Sequence, residues 1–70
     1  MNEIKQKKVA SQIVIKAMAD CGKEKIDPYI TIGAFIDETI RELSKQNDDD
    51  KVASFLETMA AKVRSGIYNK

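Results

Sequence analysis

The sequence predicts an all-α fold, a small three-helix bundle. Apolar residues recur at helical spacing in three stretches, near residues 3–21, 28–45 and 49–65. Start and stop chemistry separates them at Gly22 to Pro28 and at Ser44 to Asp50. The first break is short, which favours an antiparallel neighbour.

Helix 1 organises the expectation. At about 100° per residue, Val9, Ala10, Ile13, Val14, Ala17 and Cys21 form a broad apolar face. Ile4, Ile15 and Met18 lie almost opposite, with small Ser11 between them, and Lys5, Lys8, Gln12 and Lys16 form the polar stripe. A helix that is apolar over roughly two-thirds of its girth is normally covered from more than one side. Two sibling helices can cover one side, so a second copy of the chain is expected on the other. Gly22 is expected as the left-handed residue that ends helix 1.

Asp27-Pro28 starts helix 2: Asp caps free amides, and Pro suits the first helical position. Tyr29, Ile32, Ile36, Thr39, Ile40 and Leu43 make one stripe, with Phe35 on its edge and charged residues opposite. The β-branched run Ile30, Thr31, Ile32 before Gly33 leaves residues 29–32 open between helix and extended chain. Ile30 falls on the polar side and is a candidate contact residue.

Asn47, Asp48 or Asp49 caps helix 3. Val52, Phe55, Leu56, Met59, Ala60 and Val63 share its apolar face. Gly66 ends it, leaving residues 67–70 as a short flexible tail on a single α-helical domain, residues 1–70.

Composition narrows the function classes. Seventy residues lie near the lower limit for one self-sufficient core, and only Tyr29, Phe35, Phe55 and Tyr68 are aromatic. With 43% hydrophobic and 33% charged residues the chain is globular in type. No apolar run approaches the ~20 residues of a membrane span, and no signal-peptide core follows the N-terminal charges, so a cytoplasmic location without membrane contact is expected. The net charge of +1 conceals an asymmetry. Residues 1–25 carry six bases and three acids, residues 26–50 two and seven, and residues 51–70 four and one. That basic–acidic–basic pattern suits a charge match within or between copies.

The chemistry-bearing residues favour structural roles. Cys21 has no histidine in the chain to serve as its base, and reads as a small residue at the end of an apolar face. Asp48-Asp49-Asp50 lacks the alternation, glycine and distal glutamate of a calcium loop, and reads as helix capping. Glu38 and Glu42 are four apart on a charged face, where solvated acids are the rule. No enzyme, metal site or cofactor is expected.

The expected function is a small non-catalytic protein–protein interaction module: an inhibitor, adaptor or regulatory subunit. It would be a homodimer that also binds an unidentified protein through helix faces. The expected surface is Ile4, Ser11, Ile15 and Met18 on helix 1, with Ile30 on helix 2. A second reading, from another class, is a DNA-associated transcriptional regulator that meets phosphates with Lys5, Lys8, Gln12 and Lys16.

Overall fold

A computed structural model describes residues 1–69 as three helices: α1 (Glu3–Lys23), α2 (Pro28–Ser44) and α3 (Asp49–Arg64). No strand occurs among the described residues. The all-α architecture is therefore the one the periodicity implies.

Each helix begins on a side-chain cap. The Asn2 oxygen accepts from the Lys5 amide at 2.7 Å, and the Gln6 side chain donates back to the Met1 carbonyl at 2.8 Å. An Asp27 carboxylate oxygen accepts from the Tyr29 amide at 2.8 Å. Residues 29–32 are accordingly helical, because Asp27-Pro28 supplies both the cap and the fixed φ that a β-branched turn needs. Asp48 caps α3 through the Lys51 amide at 2.9 Å. Asn47 works on the preceding helix instead, donating from its side chain to the Leu43 carbonyl at 3.0 Å.

The end of α1 corrects the sequence reading. Gly22 lies inside the helix, and Lys25 takes the left-handed conformation at φ 60°. The Lys25 amide donates to Gly22 (3.0 Å) and the Ile26 amide to Cys21 (3.2 Å), the paired bonds of a Schellman motif. That motif prefers an apolar residue just after the left-handed one. Ile26 provides it here, whereas stopping at Gly22 would have put Lys23 there. At the end of α3 the glycine does take this role: Gly66 has φ 82°, and the Asn69 amide closes a turn onto its carbonyl. The expected tail thus opens with a hydrogen-bonded turn, and its last residue, Lys70, lies outside the described residues.

The chain divides into two compact units, Met1–Phe35 and Ile36–Lys70, with the boundary inside α2. In the first, Thr31 is buried and Val9, Ala17, Cys21 and Phe35 are half-buried. The 21 residues of α1 face only Pro28 to Phe35 of α2 in that unit, roughly 30 Å of helix against roughly 12 Å at 1.5 Å per residue. In the second, Val52 is buried and Ile40, Leu43, Leu56, Met59 and Ala60 are half-buried.

Helix α1, expected as the centre of the molecule, holds no buried residue. Val52, at 7% exposure, is the one buried apolar residue among those described. The inward face expected of α3 is covered at Val52, Leu56 and Met59, yet Phe55 and Val63 are exposed. Ile13 and Val14 of α1 and Tyr29, Ile32 and Ile36 of α2, all expected inside, are exposed as well. Too little helix is available within each unit to cover them.

Candidate interaction surface

Four of the expected contact residues share one side of α1. Ile4, Ser11, Ile15 and Met18 fall within an arc of about 60° around the helix, and all are exposed. Exposure is 82% at Ile4, 65% at Ile15 and 41% at Met18. Ile30 is likewise exposed, on α2. The exposed strip is thus apolar at three positions and carries the small Ser11 between them.

Met18 also lines an open groove of about 200 Å³ in the first unit, together with Gly22, Ile26, Pro28, Thr31 and Ile32. The groove follows from the chain turn. Ile26 follows the left-handed end of α1 and precedes the Asp27 cap of α2, so it bridges both helix ends at the groove. It stands to Thr31 as the apolar residue of a hydrophobic staple stands to the fourth helical position. Gly22 leaves space, since a Cβ there would meet no atom within 4 Å. Tyr29, beside this groove in sequence, is 85% exposed. Sequence reading missed the groove because Gly22 was assigned to the turn and Tyr29 and Ile32 to the core. The signal was Ile26, an isolated apolar residue between a lysine and a helix cap.

The charges are paired along their own helices. Lys7 meets Glu3 at 3.4 Å, Lys16 meets Asp20 at 3.4 Å and Lys23 meets Asp20 at 3.9 Å. On α2, Arg41 reaches Asp37 (3.5 Å) and Glu38 (3.2 Å), and Lys45 reaches Glu42 (2.9 Å). All are three or four residues apart and more than half exposed, so each contributes about 0–1 kcal/mol. Each of these pairs lies within a single helix or, for Lys45, one residue past its end. In the lysine stripe, Lys16 is engaged by Asp20, while Lys5 and Lys8 make no ion pair among the described residues and Gln12 is exposed.

Cys21 is half-buried at the end of α1, and Asp48 is engaged by the Lys51 amide. A second hollow, at the end of α2, is bordered by Thr39, Glu42, Leu43, Gln46 and Asn47; Asn47 there already bonds Leu43. Among the described residues no three metal-binding side chains gather, and no helix is long and apolar enough to cross a membrane. The chain matches no protein-family model, no curated protein and no solved structure.

Proposed function

We propose that this protein is a non-catalytic interaction module that docks on another protein through helix faces. One observation carries the reading: among the described residues fifteen large apolar side chains are exposed, and Val52 is the one buried apolar residue. A folded chain this size contributes little core of its own, so its apolar surface is better explained as contact surface than as unused core. The strip Ile4, Ser11, Ile15 and Met18 is the face we assign to the partner, together with the exposed Ile30 of α2. Apolar residues recurring on one side of a helix are how an amphipathic helix seats in a groove. Regulation by occupancy, as in an inhibitor or adaptor, is the mode of action this supports.

The test compares proteins captured from the native host by the wild-type chain and by Ile4→Lys/Ile15→Lys. Both positions are exposed, so helicity should persist. A partner retained by wild type and lost by the double variant supports the proposal. The same captured set with both chains, or none with either, overturns it.

A further inference from the structure

We infer that the exposed side of α1 seats an acidic amphipathic helix of another protein, one whose apolar seam is bordered by carboxylates. The inference rests on the interaction reading and names the chemistry of its partner.

Spacing along α1 selects a helix as the occupant. Ile4, Lys8, Ser11, Ile15, Met18 and Gly22 follow one another at alternating intervals of four and three residues. That is the a and d spacing by which one helix packs along another. All six are exposed. With Ile4, Ser11 and Met18 at d, Lys8 falls at a, inside the seam, while Lys5 and Lys7 flank it at e and g. A lysine at a single a position fixes register, and the e and g charges set the choice of partner.

Charge on the same helix selects an acidic one. Lys7, Lys16 and Lys23 each meet an acid three or four residues away. Lys5 and Lys8 have no acid at those distances in sequence, and Lys5 stands in the first turn of α1, where the helix dipole disfavours a cation. The helix itself therefore gains nothing from these two charges; carboxylates on a docked helix would match them. From Ile4 to Gly22 no a, d, e or g position holds an acid, so the same seam on a second copy offers Lys5 and Lys8 no opposite charge. An anionic membrane fits less well. The apolar strip spans only about 60° of the helix, and α1 contains none of the Trp, Phe or Leu that anchor an interfacial helix.

Two synthetic helical peptides serve as probes, both with leucine at a and d, one with glutamate and the other with lysine at e and g. Fluorescence anisotropy follows each as the full chain is added. The acidic peptide should bind, more weakly as salt rises, and the basic peptide should not. Lys5→Glu/Lys8→Glu should weaken the acidic peptide at least about tenfold and gain the basic one, the reversal expected of a charge-matched seam. Both positions are exposed, and circular dichroism checks the fold. Should the double variant unfold, Lys8→Gln gives a second readout, a smaller loss of the acidic peptide. Equal binding of both peptides, binding of neither, or indifference to the lysine changes overturns the inference. Binding to phosphatidylserine vesicles or duplex DNA in place of the acidic peptide also overturns it. So does a dimer of the chain that Ile15→Lys dissociates, which would give the seam to a second copy. Host capture lost in Ile4→Lys/Ile15→Lys but kept in Lys5→Glu/Lys8→Glu sinks the acidic chemistry and leaves the interaction reading standing. Acidic-peptide binding by a chain that captures nothing from its host does the reverse.

Discussion

The amide of Ile26 donates to the carbonyl of Cys21 at 3.2 Å, and Lys25 between them turns left-handed. This bond fixes where α1 ends and where the groove begins. It also places a lysine in a conformation that costs an L-residue about 1–2 kcal/mol.

Lys25→Gly should therefore stabilise the chain. Relief of the left-handed strain outweighs the added freedom of the unfolded chain, for a net gain of about 0.5–1 kcal/mol. Gly22→Ala, at a helical position with open space around its Cβ, should add about 0.5 kcal/mol. Had Gly22 been the left-handed residue, the second change would have destabilised instead. Denaturant midpoints of the two variants, taken at one protein concentration, decide the sign.

Ile26→Ser should destabilise by about 1–2 kcal/mol, since it removes the apolar partner at two helix ends at once. Ile30→Ser, at a more exposed site outside the groove, should shift stability by less than about 0.5 kcal/mol. Equal losses at the two positions would show that Ile26 has no special place in the turn. Urea melts followed by circular dichroism give both values.

Asp48→Ala should cost about 1 kcal/mol through the lost bond to the Lys51 amide. Asp48→Asn should restore most of it, because the cap needs an acceptor oxygen and not a charge. Thermal melts of the two variants at matched concentration would separate capping from a charge effect.

Duplex DNA should not be retarded by the chain even at low salt. The near-neutral sequence, with pI about 7.8, lacks the strong basic patch that phosphate contacts require. Retardation that weakened steeply with salt and disappeared in Lys5→Ala/Lys8→Ala would instead restore the regulator reading.

Helix positions were legible because caps and apolar spacing are local. Asp27-Pro28, Asp48 and Gly66 each act within one turn of chain, and each acts where the spacing implies. Coverage was not legible. The spacing of Tyr29, Ile32 and Ile36 shows that they share a face, but whether another helix reaches that face depends on lengths and turns beyond the window. Thr31, off that stripe, is 8% exposed, whereas the aromatic two residues before it stands in solvent. Gly22 misled for a related reason: glycine permits a left-handed turn, but the apolar residue that follows the turn decides whether the helix uses it. For the α1 strip, Ile4, Ile15 and Met18 were readable as a set because one helix carries them all. The groove at the α1–α2 turn was not, because its lining comes from two helices and the turn between them.

Val52, the one buried apolar residue among those described, bears on how such a chain fares inside a cell. An unassociated copy would hold its helices mainly by caps and half-covered side chains, and short helices of that kind open readily in water. Proteases cut what opens, at a rate set by the open population. Under the proposed docking on another protein, surplus molecules left unbound would be cleared first, so the amount that persists would follow the amount bound rather than the amount synthesised.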